Sequence, residues 1–488
     1  MTSSERAPGR GTAVVMGGGL AGLAAAWALR GFAERIVVVE RDRYPAGAEF
    51  RAGVPQGRHA HLVLEAGHRL LEEMMPGIRQ ELTAAGAQRV AASDVQWLCA
   101  AGWLAEYPAQ VSFLSCTRPL LDKLVLDRIR AHPAIEILEG TDVVGLLGSA
   151  GVVTGVKVRS RGSAHDSERS GDSSERDSEN GSAHNSANGS AHGSANGSAH
   201  DSVRSSERGE VREIPAELVV DAAGRSTSVP KWLAELGCPP VPEERVDAGV
   251  AYASRIFHRP TGSELGPGRA AYLQTKAPDE PRMGVLLPVE GDRWIVSLAG
   301  MRGAEPGPGE EGFTEHLGLL RDPLLHELLR DAEPAGGIRG FHPGPGVRRH
   351  YERSSPDGLV VVGDAASTFN PVYGQGVTVA LFCARELRRT AKRHGGIGHA
   401  TARAARHAVA AASKIPWMIS CAEDARFHAT TGAPSGSLVG LQHRFFDKVL
   451  AASTRDPAVT SAFHEVMSLV APPSLLFRPP VLAAILRA

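Results

Sequence analysis

The sequence predicts an α/β protein in which a doubly wound domain is split by an inserted β-sheet domain and followed by a helical region. Three observations predict it. A glycine-rich turn joins two short apolar strands near the N-terminus; residues 246–299 fall into strand-length apolar runs without a second such turn; and a buried-type strand ending in Gly363-Asp364 resumes the α/β pattern before a mostly helical 401–488. The division that follows is 1–240 for the first part of the doubly wound domain, 241–350 for the sheet domain, 351–395 for the return segment and 396–488 for the helical end. A chain of 488 residues exceeds one ordinary domain and suits two intimately packed ones.

The first unit carries the most chemistry. Thr12 to Met16 is an apolar strand leading into Gly17-Gly18-Gly19-Leu20-Ala21-Gly22, then an Ala/Leu-rich helix and a second strand, Arg35 to Val39, that ends in Glu40. This is G-x-G-x-x-G in its full βαβ context with an acid about twenty residues on, the Rossmann fingerprint of adenine-dinucleotide binding. Gly17 permits the tight turn, Gly19 lacks the Cβ that would block a pyrophosphate, and Gly22 lets helix and strand pack. The helix N-terminus favours the diphosphate, and Glu40 is placed to accept from ribose hydroxyls.

Residues 160–207 turn abruptly to Ser, Gly, Asn, Asp, His and Glu with near-repeats of Gly-Ser-Ala-His, a composition that predicts disorder. Strand-like runs flank it, and the second runs into Asp221-Ala-Ala-Gly224-Arg225. The tract therefore reads as a swollen hairpin loop. Its histidines, His165, His184, His192 and His200, read as part of a solvated repeat and not as metal ligands.

In the sheet domain, residues 246–257, 282–288 and 293–299 read as strands and 312–329 as helix broken near Pro323. Val285 with Leu287, and Trp294 with Val296 and Leu298, alternate as one wall of an apolar pocket would. The return segment is a buried strand, Gly358-Leu-Val-Val-Val-Gly363-Asp364, followed by Asn370-Pro371-Val372-Tyr373-Gly374-Gln375-Gly376 and a helical run.

Composition excludes several classes. A net charge of -1 with 22% charged residues gives no basic surplus for nucleic acid. Five scattered cysteines without C-x-x-C spacing suit a reducing compartment, and no metal site is expected. The polar N-terminus lacks a secretory core and no apolar run reaches spanning length, so a cytoplasmic protein without a transmembrane segment is expected. Residues 472–488 are apolar with Arg478 and Arg487, a pattern that suits packing onto the core ahead of a membrane surface.

The G-x-G-x-x-G with Glu40, Thr117-Arg118-Pro119-Leu120-Leu121, the Asp221 to Arg225 turn and Gly363-Asp364, in that order, resemble the para-hydroxybenzoate-hydroxylase-like flavoproteins, whose FAD-binding domain is of the glutathione-reductase type. Arg51-Ala-Gly53-Val-Pro55-Gln56-Gly-Arg58-His59-Ala-His61 and 369–376 further resemble bacterial flavin epoxidases related to squalene epoxidase, including those acting on polyene precursors of polyether antibiotics. Residues 246–255 and Pro416-Trp417 share the likeness. The resemblance implies FAD held by Gly17, Gly19, Gly22, Glu40 and Arg41 at the adenosine end and by Arg118 near the phosphates or ribose. Gly363 and Asp364 would meet the ribityl chain, with Pro371, Gly374, Gln375 and Gly376 along the flavin ring. It makes Arg51, Gln56 and His59 candidates for contacting the flavin; a bent loop with ordinary histidine hydrogen bonds is the alternative.

The implied reaction is monooxygenation: a flavin C4a-hydroperoxide delivers one oxygen atom to an apolar small molecule, as alkene epoxidation in secondary metabolism or as aromatic hydroxylation. No nucleophile elbow, P-loop or metal cluster competes for the chemistry. The chain has no second G-x-G-x-x-G for NAD(P)H, so electrons would arrive from NAD(P)H directly or through a separate flavin reductase. A prenyl-lipid-type reductase or cyclase shares the FAD frame. A halogenase is disfavoured because none of the six tryptophans forms Trp-x-Trp-x-Ile-Pro. A noncatalytic flavin-binding protein is the reading from another class.

Overall fold

The computed structural model describes residues 11–162 and 208–488. Its centre is a five-stranded parallel sheet in the order Leu359–Val361, Leu218–Asp221, Thr12–Met16, Arg35–Val39, Ile135–Leu138. The order runs outward in both directions from Thr12–Met16, so a crevice opens at the carboxyl ends of that strand and of Leu218–Asp221, where such sheets bind ligands. Apolar runs such as Arg-Ile-Val-Val-Val suit strands covered on both faces. Alternation sends Val15, Ile36, Val38 and Val220 to the helices Leu20–Leu29, Arg118–Arg130 and Gly376–His394. Val14, Met16, Val37 and Val219 face the opposite layer. Full burial of each such side chain contributes roughly 1.5–3 kcal/mol.

That opposite layer is a three-stranded antiparallel sheet of Thr141–Ser149, Val152–Arg161 and Arg208–Pro215. Arg161 pairs with Arg208 and Val158 with Arg212, so the chain leaves and re-enters on neighbouring antiparallel strands. Residues 163–207, nearly all of the tract for which the sequence predicts a disordered insert, lie outside the described residues.

A seven-stranded mixed sheet forms the second layer system, ordered Arg339–Phe341, Ala251–His258, Arg293–Gly300, Arg282–Val289, Ala270–Leu273, Val95–Cys99, Gly102–Trp103. It is not confined to 241–350: Val95–Cys99 pairs in parallel with Ala270–Leu273. The run 246–257 is also two elements, because Glu243–Val246 joins a separate three-stranded sheet. Gly249, with φ +62°, turns the chain between them, a conformation that glycine adopts without strain.

Helices Gly309–Gly318 and Leu324–Leu329 cover one face of the large sheet. The last helices, His399–Asp424, Ser437–Ser453, Pro457–Met467 and Pro479–Arg487, include a cluster centred on Phe463, Val449 and Ile485 that closes over Cys99. Among the described residues no helix is long and apolar enough to cross a membrane.

Candidate functional site

The fingerprint turn is built by its three glycines in three different ways. Gly17 has φ +96°, and a Cβ there would stand 2.6 Å from the Ala222 carbonyl oxygen. A Cβ on Gly22 would stand 1.9 Å from the Gly17 oxygen, so turn and helix meet at that position. Gly19 differs: a Cβ there meets nothing within 4 Å, and the residue caps the helix Leu20–Leu29 on open space. Free N–H groups at a helix start facing such space suit a diphosphate.

Glu40 is buried beside the turn, accepting from Gly18 N at 2.6 Å and Asp42 N at 2.9 Å. Arg51 joins it, with Nη1 3.3 Å from Glu40 Oε2 and Nη2 donating to the Gly18 carbonyl at 2.9 Å. Arg51 thus stands at the fingerprint end of the site. Arg118 opens its helix at the first position, paired with Asp122 at 2.7 Å.

These groups share one cavity of about 830 Å³. Of the residues the sequence singles out, Gly17, Gly19, Glu40, Arg41, Arg51, Gln56, His59, Arg118, Asp364, Pro371, Gly374 and Gly376 line it. Gly22, Gly363 and Gln375 stand behind its wall. Gly363, at φ +60°, leaves only 2.9 Å between a Cβ and that of Ala21, so it lets the return strand close on the first helix. Gln375 is buried at the start of Gly376–His394 with Oε1 unpartnered among the described residues.

Electrostatics differ along the cavity. Burial pushes the Asp364 carboxyl up, and the Arg225 and Arg118 guanidiniums draw it back down. Arg225, which the sequence places in the Asp221 to Arg225 turn without giving it a role, lines the cavity too. Its Nη1 donates to the Pro345 carbonyl at 2.7 Å, while Nε and Nη2 are buried without partners among the described residues. An unmet buried donor costs roughly 1–3 kcal/mol, a cost that a ligand oxygen reaching these nitrogens would remove. His59 is buried edge-on to Tyr252, with ring centroids 4.6 Å apart, and Nδ1 is 2.8 Å from Ser254 Oγ. Burial, with His61 and Arg58 beside it, pushes its pKa down to about 4, so the ring is neutral at pH 7.

The loop 370–376 is braced from outside. Asn370 Nδ2 and the Tyr373 hydroxyl both donate to Asp424 Oδ1, at 2.7 and 2.8 Å. Gly374 takes φ +65°, and the helix N-terminus follows at Gly376.

Beyond the loop the cavity becomes apolar between the seven-stranded sheet and the last helices. Met283, Val285, Leu287, Ser297 and Ala299 line it. Trp294, Val296 and Leu298 do not; they lie on the other face of the sheet against Phe313 and Leu325. Register explains the split, since Val285 pairs with Ser297 and Leu286 with Val296, and neighbouring residues on one strand take opposite faces. The remaining wall comes from remote segments: Trp97, Tyr252, Tyr272, Glu423, Phe446 and His464.

A sequence model of the family described as FAD dependent oxidoreductase matches residues 13–171. Protein Rv3254 of Mycobacterium tuberculosis is 29% identical over 472 residues, 94% of this chain and 89% of that protein. Digeranylgeranylglycerophospholipid reductase 2 of Methanopyrus kandleri is 36% identical over 90 residues, 18% of this chain and 21% of that enzyme. Among solved structures, the flavin-dependent brominase Bmp2 superposes with a TM-score of 0.62 at 12% identity over 93% of this chain and 92% of that one. PqsL, a probable FAD-dependent monooxygenase from Pseudomonas aeruginosa, gives 0.53 at 17% identity over 93% and 99%. The architecture is that of FAD-dependent flavoproteins: a Rossmann-type FAD domain, mixed sheets and a helical C-terminus.

Proposed function

We propose that this chain, built on the fold of FAD-dependent oxidoreductases, is a flavin monooxygenase that adds one oxygen atom from dioxygen to an apolar small molecule, with alkene epoxidation as the reaction. One observation carries the reading. A single cavity joins the dinucleotide turn to a largely apolar chamber lined by sheet and helices, so a flavin held at the turn would reach an apolar substrate space.

The residues present fit FAD. Gly19 with the first helix N-terminus would take the diphosphate, and Glu40, with Arg41 at the rim, the adenosine ribose. Asp364 would accept from the ribityl chain. Arg225 and the loop Pro371 to Gly376 would face the ring, where unmet donors and a helix N-terminus favour negative charge. Bound FAD supplies the redox and oxygen-activating chemistry. The chain's own part is to orient the substrate against the loop and to exclude water, through Val285, Leu287, Phe446 and their neighbours. Gln56 and His59, which line the same cavity, would offer the flavin hydrogen-bonding groups, His59 as a neutral ring. Electrons would come from NAD(P)H, directly or through a flavin reductase.

The test is product mass with an apolar polyene under oxygen-18 gas, reduced flavin being regenerated by NAD(P)H and a reductase. One labelled oxygen in the product is expected. A saturated, unlabelled product would favour the prenyl-lipid reductase reading, which rests on the likeness to the Methanopyrus kandleri enzymes. Halide-dependent product would move the assignment to halogenation.

A further inference from the structure

Three side chains gather in the apolar chamber around one indole, that of Trp97. Trp97 and Tyr272 are register partners on adjacent strands with ring centroids 5.0 Å apart. His464, from Pro457–Met467, stacks on Trp97 at 5.3 Å with a 29° interplanar angle. Trp97 Nε1 donates to Gln274 Oε1 at 3.0 Å. All four line the cavity, and the oxygenation chemistry proposed above uses none of their polar atoms.

Their hydrogen-bond capacity is one-sided. An indole N–H only donates, so the Gln274 oxygen is fixed toward Trp97 and its NH₂ group is left without a partner among the described residues. The Tyr272 hydroxyl is likewise without one, and burial raises its pKa so that it stays protonated. His464 Nδ1 lies 2.5 Å from the Tyr107 hydroxyl, while Nε2 is buried and unpartnered. If Tyr107 donates, the proton of the neutral ring sits on Nε2 and one group is unmet; the reverse arrangement strands two. Burial holds His464 down at about 4, so the ring carries no charge.

Two donors open to the chamber, on Tyr272 and Gln274, thus stand beside the buried, unpartnered His464 Nε2, and Glu423, which lines the same cavity and acts on Tyr272, is held by Arg426 at 3.1 Å. A carboxylate ligand would meet Glu423, and a cation would meet donors. We propose that Tyr272, Gln274 and His464, around Trp97, form a subsite for a neutral carbonyl oxygen carried by the substrate, which is therefore an oxygenated apolar chain such as a ketone or ester and not a plain hydrocarbon. The inference rests on the monooxygenase reading for its substrate and names that substrate's class. The carbonyl fixes which carbon is presented for attack.

Calorimetric binding of 2-undecanone and 1-undecene to the FAD-loaded protein tests it without turnover. Y272F and Q274L are each expected to weaken the ketone about three- to tenfold, the worth of one neutral hydrogen bond, and to leave the alkene within about twofold. H464Q, which keeps an N–H donor, should retain more ketone affinity than H464F. Equal losses for both probes, unchanged ketone affinity, or no ketone binding overturns the subsite. Failure of oxygen-18 incorporation overturns the monooxygenase reading alone, because the binding comparison is read separately.

Discussion

At the scale of single residues, the fingerprint separates folding from binding. Gly17 needs its left-handed backbone and lies against Ala222, so G17A is expected to lower the melting temperature of the apoprotein, in keeping with a strain of roughly 1–2 kcal/mol. Gly19 faces open space. G19A should melt like the parent and bind FAD at least tenfold more weakly in a flavin titration; parental affinity would remove the diphosphate from that turn. Arg225 makes the converse case. With two buried nitrogens unpartnered, R225M should leave apoprotein stability unchanged or higher while FAD affinity falls, and a large loss of stability would show that the guanidinium serves the fold. The glycines were legible in the sequence because the fingerprint spacing calls for each one, Gly17 for its backbone, Gly22 for its packing and Gly19 for the space in front of it. Arg225 was not, since its meaning lies in what fails to reach it, and no local pattern reports an unmet donor.

At the scale of elements, strand alternation showed which residues are apolar but not which face each strand turns to the cavity. Val285 and Leu287 line the chamber while Trp294, Val296 and Leu298 line the core, and only the pairing register decides between them. The brace between loop 370–376 and the helix His399–Asp424 was equally hidden, joining residues more than fifty positions apart. It carries a pH signature. Burial, with Glu423 and Asp247 adding to it, raises the Asp424 carboxyl to about 6 although Tyr373 and Asn370 donate to it. A carboxyl raised in the folded state stabilises fully below its unfolded pKa of about 4 and loses that contribution as pH climbs through about 6. D424N keeps an acceptor for both donors and does not titrate. Urea unfolding should therefore show D424N gaining on the parent between pH 4 and pH 7 by on the order of 2 kcal/mol. Asp221, also raised to about 6, is common to both proteins and cancels. A flat difference would mean that Asp424 is an ordinary surface-like acid.

At the scale of the whole molecule, the α/β class, the FAD domain and the helical end were all legible, because period-two and helical patterns survive in any context. The pairing of Val95–Cys99 with Ala270–Leu273 was not, because two strands so far apart in sequence carry no mutual local signal. The strands flanking the Ser/His/Asn tract are direct neighbours, so replacing residues 163–207 with a four-residue turn is expected to preserve FAD content and turnover; loss of both would assign the tract a part in the site.

The parallel sheet also has a history in time. Its edge strand Leu359–Val361 and the covering helix Gly376–His394 lie some 350 residues after the first helix that they bury. At about 5–20 residues per second of synthesis, the apolar face of Leu20–Leu29 leaves the ribosome roughly 20 to 70 s before its cover exists. Such a nascent chain has to be shielded until more than four-fifths of it has been made, and its dependence on chaperones should end abruptly at ribosome-stalled lengths that carry His394 clear of the exit tunnel.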